Sequence, residues 1–174
     1  MTRVERDITR FVDRIRSFFG RATDKRNPQL RAMGAKAIEI IVRRSRLGYG
    51  VKKVESLRYR FPPLSDRYIA FRKDHRGELH RFGRPAKSNI TATGQLLESM
   101  QYRIEKRRRT QVIVGPSGRR RASSFDDGSL SNEEVAENLA KGGRIYNNLS
   151  RPEIAQLRNF YRRSFGDLVK RKLS

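Results

Sequence analysis

The sequence contains no cysteine, which excludes disulfides and cysteine-ligated zinc sites. No apolar run approaches the ~20 residues that a membrane-spanning helix needs. The N-terminal stretch is amphipathic and interrupted by charges, so it lacks the continuous apolar segment of a secretory signal. These absences predict a protein that acts where it is made, or inside an assembly formed there, and not in a membrane.

Acidic residues are few compared with basic ones. The chain has 18 Asp and Glu against 41 Lys and Arg, which gives a formal net charge of +23. Such an excess predicts a polyanionic or acidic partner, with nucleic acid first, and an anionic membrane or an acidic protein surface next. The length of 174 residues fits a single domain over 1–174 with a core of modest size.

Residues suited to catalysis are also scarce. His75 and His80 have Asp74 and Glu78 nearby in sequence, but their spacing matches no metal-binding motif. The sequence has no glycine-rich phosphate loop. We therefore expect no catalytic residue, no metal site and no cofactor, and we interpret the histidines as exposed loop residues.

Two amphipathic helices are predicted near the N-terminus. Residues 2–19 carry apolar side chains at alternating spacings of four and three, which places them on one helical face. This face consists of Val4, Ile8, Phe11, Ile15 and Phe18, with Phe19 beside it. Residues 28–46 form the second predicted helix, with Asn27 as N-cap and Pro28 in the first turn. We expect residues 1–20 to form a helical arm that docks on another chain.

The middle of the chain is predicted to be a long loop region followed by a β-hairpin. Residues 47–92 are poorly periodic, apart from one short helix from Ser65 to Phe71 whose apolar side chains Tyr68, Ile69 and Phe71 pack inward. Thr93 is the predicted cap of a helical turn containing Leu96, Leu97 and Met100. Apolar and polar residues then alternate along two strands, with apolar positions Tyr102, Ile104, Val112 and Val114.

The C-terminal part begins with residues 117–130, a Ser-, Gly- and Arg-rich stretch predicted to be a flexible basic loop. Capping boxes at Ser131 with Glu134 and at Ser150 with Glu153 each predict the start of a helix. The last helix has an apolar face made of Ile154, Leu157, Tyr161, Phe165 and Leu168. The predicted fold is α+β: two N-terminal helices, a small antiparallel sheet, a long C-terminal helix, and extended loops used as assembly arms.

Two basic tracts are the candidate contacts for nucleic acid or an acidic partner. Phosphate contacts of this kind are sensitive to salt and do not read bases, and the sequence has no motif for base readout. The candidate contacts are Lys106, Arg107, Arg108, Arg109, Arg119, Arg120 and Arg121. Aromatic residues interleaved with arginine are typical of protein interfaces and, less often here, of single-strand base stacking. The candidate interface residues are Phe11, Phe18, Phe19, Phe61, Tyr68 and Phe71.

Three motifs occur in order along the chain. Residues 61–65 read FPPLS and are followed by Tyr68, residues 93–100 read TGQLLESM, and residues 144–150 read RIYNNLS. In order and spacing they resemble the "pLs..Y", "TG.L..Si" and "RPFLgLS" segments of the head–tail joining and tail-completion proteins of tailed bacteriophages. Ile145-Tyr146 stands where that family has proline and phenylalanine. The resemblance covers about residues 30 to 165.

The resemblance implies a structural virion protein without catalytic residues. It would be made in the host cytoplasm and act at the head–tail junction as a neck, adaptor or tail-completion protein. Its partners would be the phage portal protein and the tail proteins, with genomic DNA in the channel as a further contact. It would form a homo-oligomeric ring, a dodecamer with a hexamer as the alternative, and a closed ring needs two different complementary patches on each subunit.

Two other functions stay open from the residues alone. A basic, sequence-nonspecific nucleic-acid-binding protein, ribosomal or chromosome-associated, would also explain the charge. A small Mg²⁺-dependent nuclease would use the carboxylate pairs Asp126-Asp127 or Glu133-Glu134. The first predicts retention of nucleic acid that weakens steeply with salt, and the second predicts cleavage that is lost when Asp126 and Asp127 are changed to Asn.

The amphipathic N-terminal arm generates a test in a phage that carries this gene. Deletion of residues 1–20 should abolish incorporation of the protein into particles, because it removes the apolar face that docks on a neighbour or on the portal. The measurement is a blot of purified particles, with full-length protein supplied from the same plasmid as the control. Normal incorporation of the truncated protein would contradict the docking role.

Overall fold

The computed structural model describes residues 27–106, 110–125 and 127–173, so the predicted helix over 2–19 lies outside the described residues. The described chain has an α+β fold, as the sequence predicts. Its elements in chain order are α1 Pro28–Arg46, β1 Tyr49–Gly50, β2 Tyr59–Arg60, α2 Asp66–Asp74, a 3₁₀ turn Arg76–Glu78, α3 Gln95–Glu98, β3 Met100–Lys106, β4 Thr110–Pro116, α4 Asn132–Lys141 and α5 Arg151–Leu173.

Helix α1 has the boundaries that its capping residues predict. The Asn27 side chain accepts a hydrogen bond from the Gln29 N–H at 2.8 Å, and Pro28 occupies the first position, where a missing N–H costs nothing. At the other end Leu47 is the C-cap, and Gly48 continues the chain at φ +89°, a conformation that glycine adopts without strain. The predicted helix over 28–46 is therefore confirmed.

The central layer is the antiparallel hairpin β3–β4, with α1 and α5 packed together and α1 crossing the hairpin. Tyr102 pairs with Val114 and Ile104 with Val112, so the predicted alternation sets the register. Gly34 of α1 lies directly on the Tyr102 ring, since a Cβ at position 34 would come within 2.5 Å of the ring carbon Cγ. A glycine at this point lets the helix approach the sheet closely.

The core consists of two adjoining apolar clusters, both of which include residues of α1 and both of which pack against Val114 and Leu149. The larger one joins α1 to α3, α4, the hairpin and the β1–β2 region, and contains Ile41, Phe61, Ile90, Leu96, Leu97, Met100, Ala136 and Tyr146. The smaller one joins α1 to α5 through Ala37, Ile40 and Leu157. Burying an aliphatic side chain of this size contributes about 1.5–3 kcal/mol to stability. Because α1 supplies side chains to both clusters, its packing connects the other elements.

Two local predictions are wrong. The helical turn α3 begins at Gln95, with Gly94 at φ +82° as its N-cap in place of Thr93, and Met100 belongs to β3. The predicted turn runs from the Thr93 cap to Met100, whereas α3 ends at Glu98. The Gly94 carbonyl accepts hydrogen bonds from the Leu97 and Glu98 N–H groups. In α2, Tyr68 was expected to pack inward but is 37% exposed, whereas Arg72 is buried.

Residues 47–92 contain more regular structure than the predicted loop. Strands β1 and β2 form a two-residue antiparallel ladder, and the 3₁₀ turn follows α2. Ser65 caps α2 as predicted, accepting from the Tyr68 N–H at 3.3 Å. Gly50 in β1 leaves room for the Ile145 carbonyl and the Phe61 ring, which a side chain at this position would strike.

The C-terminal helices start where their capping boxes predict. In α4 both hydrogen bonds of the Ser131–Glu134 box are present. In α5 the Glu153 carboxylate accepts from the Ser150 N–H at 2.8 Å, whereas the Ser150 hydroxyl has no hydrogen-bond partner among the described residues. On the predicted apolar face of α5, Leu157 is buried, and the side chain of Leu168 lies outside the described part.

The contact between Gly34 and Tyr102 generates a double-mutant test. Gly34→Ala should destabilise the protein by about 1–3 kcal/mol, because the added methyl meets the root of the Tyr102 ring. In a Tyr102→Ala background the same change should cost much less, because the ring carbons are gone, only the Cβ of residue 102 remains at 3.0 Å, and the helix preference of alanine over glycine offsets up to about 1 kcal/mol. Urea unfolding of all four proteins measures the coupling. Equal effects of Gly34→Ala in both backgrounds would contradict the contact.

Candidate assembly surfaces and a buried charge cluster

Lys106, the described residue of the first predicted basic tract, and the second tract lie at opposite ends of the hairpin. Lys106 is exposed and pairs with Thr110 next to the tip, while residues 107–109 lie outside the described part. Residues 119–121 follow the opposite end, where Met100 pairs with Pro116. Six residue steps at about 3.3 Å separate these ends by about 20 Å. The structure therefore does not bring Lys106 and the tract 119–121 into one cluster.

The tract 119–121 is held by hydrogen bonds to other elements. Arg121 donates its N–H to the Gln95 side chain at 2.8 Å, and Gln95 returns a bond to the Arg121 carbonyl at 3.1 Å. Arg119 forms an isolated antiparallel bridge with Ser131. Arg119 and Arg121 are exposed, whereas Arg120 is half-buried and lines a cleft between α2 and α4. Arg119 and Arg121 thus remain accessible to a polyanion.

The predicted interface aromatics have different surroundings. Phe61 is 2% exposed and packs in the larger core cluster, so the prediction that it forms an interface is wrong: its ring is needed inside the fold. Tyr68 and Phe71 are stacked, with ring centroids 6.2 Å apart, and Phe71 meets Phe125 edge-on at 5.3 Å. Phe11, Phe18 and Phe19 lie outside the described residues. Of the described aromatics in this set, Tyr68 is the exposed one.

A buried charge cluster joins α1 to α5. The Arg44 guanidinium donates to the Glu153 carboxylate at 2.6 Å, and both side chains are almost fully buried. A second nitrogen of Arg44 donates to the carbonyls of Tyr146 and Asn148, the latter at 2.8 Å. Arg58 is a second cation beside Glu153: on the solvent side of the carboxylate, its guanidinium lies 3.0 Å from a carboxylate oxygen. Three parts of the chain that are distant in sequence therefore meet at one carboxylate.

The electrostatics of this cluster follow from its burial. Removal from water lowers the pKa of Arg44, and the Glu153 carboxylate opposes that shift. A guanidinium remains protonated in proteins, so the cluster is a fixed ion pair. Its side chains are too buried to meet a substrate, and we assign it a structural role.

The sequence analysis does not predict this cluster, because Arg44 is one of 41 basic residues and nothing in its type separates it from the exposed ones. A signal was present in the helix periodicity. Gly34, Ala37 and Ile41 lie on the buried face of α1, and Arg44 continues their spacing of three and four. A charged residue in phase with a buried face indicates a partner, and Glu153 lies one turn before the buried Leu157.

The three sequence motifs at 61–65, 93–100 and 144–150 meet in the structure. Arg144 donates to the carbonyls of Pro62 and Pro63 at 3.3 and 3.0 Å. The Tyr59 hydroxyl, two residues before the first segment, accepts from the Ile145 N–H at 2.8 Å. All three segments place side chains in the larger core cluster: Phe61, Leu96, Leu97, Met100 and Tyr146, with Leu149 packed against it. Tyr146 is 1% exposed, and burial raises the pKa of its phenol.

The candidate metal ligands and carboxylate pairs do not converge in the described ranges. His75 contacts the Phe71 carbonyl at 2.9 Å, and His80 pairs with Glu98 at 3.2 Å. Asp127 accepts from the Ser129 N–H, and Glu134 serves in the capping box. Within 27–106, 110–125 and 127–173 no group of three His, Asp or Glu side chains is arranged to hold a metal ion.

No family model, curated protein or solved structure matches the chain. Over the residues that the structure describes, no helix combines the length and the apolar character needed to cross a bilayer.

Breaking the buried ion pair should cost far more than removing an exposed charge. Glu153→Gln should destabilise the fold by about 3–5 kcal/mol, because Arg44 keeps its charge without a partner. The double variant Arg44→Met/Glu153→Met should recover part of that loss, because no uncompensated charge remains.

The control for this experiment is Arg43→Met, an exposed neighbour on α1, which should change the free energy of unfolding by less than about 0.5 kcal/mol. Thermal and urea unfolding measure all variants. A Glu153→Gln protein as stable as the Arg43→Met protein would show that the ion pair does not secure α5.

Proposed function

We propose that the protein is a structural component of a tailed-phage virion at the head–tail junction, where copies of it form a ring that joins the portal to the tail around the DNA channel. The observation that carries the proposal is the convergence of the three family-like segments. They occur in the family's order and together build one core, so they resemble the family's framework and not a set of unrelated short matches.

The surface properties support an assembly role. Arg44 and Arg72 are the buried basic residues among those described, and most of the other described arginines and lysines are exposed. A basic surface suits a ring that encloses DNA or docks on an acidic portal face. The chemistry available at such a surface is binding, and it is sequence-blind and salt-sensitive.

Exposed apolar side chains at and near the β1–β2 turn supply a candidate subunit contact. The turn between β1 and β2 exposes Val54 by 61% and Leu57 by 77%, and Leu47 before β1 is 58% exposed. Exposed apolar side chains that cluster in one loop mark interaction sites more often than isolated ones do. We assign the β1–β2 turn to the contact between neighbouring copies in the ring.

The alternative is a basic nucleic-acid-binding protein, which the formal charge of +23 favours. The two functions differ in what the purified protein binds. A nucleic-acid-binding protein that makes 6–10 phosphate contacts should lose about 10³–10⁵ in affinity for a DNA duplex between 50 and 200 mM salt. A junction protein should bind a purified portal ring from the same phage stably at the higher salt.

Deletion of the gene tests the proposed function directly. Electron microscopy of the lysate should show DNA-containing or leaking heads without attached tails, and a plasmid copy should restore tailed particles. Leu57→Asp should fail to restore them, because it replaces the most exposed apolar side chain of the turn with a charge.

Lys53→Gln is the matched control for Leu57→Asp. It lies in the same turn and changes the charge by the same amount, but leaves the apolar side chains intact, so it should restore tails. Both variants should fold, as circular dichroism can check. Normal infectious particles from the deleted phage would refute the junction role and favour the nucleic-acid-binding alternative.

A further inference from the structure

A cleft of about 370 Å³ lies between α2, the segment before α3, and α4. Its described lining includes three arginines and no aspartate or glutamate; the arginines are Arg72, Arg120 and Arg144. Its walls are otherwise largely apolar, formed by Leu64, Ile90, Leu96, Val135 and Leu139. The cleft is therefore cationic and apolar at once, and its size is in the range of sites for small ligands.

Arg72 is the unusual residue of this cleft. It is 1% exposed, and its Nη1 donates to the Lys87 carbonyl at 3.1 Å. Its Nε and Nη2 atoms have no acceptor among the described residues. These two atoms form the edge of a guanidinium that holds a carboxylate or phosphate side-on through two parallel hydrogen bonds. The Arg72 guanidinium also lies over the Tyr68 ring, 5.8 Å from its centroid, but that edge of the buried cation faces no anion among the described residues.

Asn89 has a buried hydrogen-bond acceptor without a partner among the described residues, which complements the free donors of Arg72. It is 7% exposed, and its amide nitrogen donates to the carbonyls of Arg46 and Phe82 at 3.3 and 3.1 Å. Its Oδ1 accepts no hydrogen bond from the described chain. The site thus offers both a bidentate donor and a buried acceptor. A peptide carries both matching groups, a carboxylate and an N–H, whereas an ionised phosphate diester carries no donor.

We propose that this cleft binds a carboxylate-bearing peptide segment of a partner protein. Arg72 holds the carboxylate side-on, Asn89 accepts a peptide N–H, and the leucine, isoleucine and valine walls take an apolar side chain. A duplex DNA phosphate matches the cleft less well, because a phosphate diester has no N–H to donate to Asn89 and a duplex backbone meets the exposed cations of the surface first. This inference stands on the cleft alone and does not rest on the proposed ring function.

The test uses the purified full chain and the side-chain Nε–H resonances of its arginines in ¹⁵N-labelled protein. N-acetyl-leucine, which carries a carboxylate, an N–H and an apolar side chain, should shift the Arg72 Nε–H resonance saturably. N-acetyl-leucinamide has the same shape without the charge and should produce no saturable shift at the same concentrations. Inorganic phosphate and a short DNA duplex should leave this resonance unchanged while shifting exposed arginines.

Two variants sharpen the result. Arg72→Lys keeps the positive charge but loses the two parallel donors of the guanidinium, so it should weaken N-acetyl-leucine binding at least about tenfold. The affinity of this variant is measured from the backbone amide resonances of residues around the cleft. Arg67→Lys, an exposed arginine of α2, should leave the affinity unchanged within about twofold.

Three results would overturn the proposal: no saturable shift with N-acetyl-leucine, an equal response to the amide, or a stronger response of Arg72 to phosphate or DNA. These readings come from the unmodified chain, so they hold even where Arg72→Lys fails to fold. None of them bears on whether the gene is needed for tailed particles.

Discussion

The buried pair of Arg44 and Glu153 is the constraint on which the rest of the structure depends. Isolated charges inside a protein are costly, and a buried pair is tolerated where its remaining donors and acceptors are also satisfied. Here the guanidinium donates to the carboxylate of α5 and to two carbonyls of residues 146–148, and Arg58 pairs with the outer carboxylate oxygen, while the Arg44 Nε has no acceptor among the described residues. Few arrangements of the helices bring these groups together, so the pair favours one packing of α5 on α1.

Much of the fold can be predicted from sequence because local signals agree with the final packing. Asn27 and Pro28 mark the start of α1, the Ser131–Glu134 box marks α4, and alternating apolar residues fix the register of β3–β4. Strands β1 and β2 are two residues long and leave no periodicity to detect. Their position is set by long-range contacts with residues 143–148, such as the bond from the Tyr59 hydroxyl to the Gly143 carbonyl.

The buried charge cluster and the arginine-lined cleft were harder to predict than the helices and the hairpin, because they too depend on long-range contacts. A basic residue looks the same in sequence whether it faces solvent or a buried carboxylate, so Arg44 and Arg72 were not distinguished from their exposed neighbours. The same difficulty applies to Phe61, because a phenylalanine looks the same in sequence whether it lies in an interface or in the core. Periodicity separates these cases in α1, which is long, but not in α2, where nine residues give little phase information.

The distance in sequence between the two halves of the central ion pair has a consequence for synthesis. Arg44 and Glu153 are 109 positions apart, and the carbonyls that share the guanidinium lie at 146 and 148. During translation α1 leaves the ribosome long before any of these groups exist, so its charged end stays solvated until the chain is nearly finished. A prematurely terminated product that stops before residue 146 has no means to bury Arg44. The fold thereby distinguishes complete chains from truncated ones, because only a complete chain can bury this arginine.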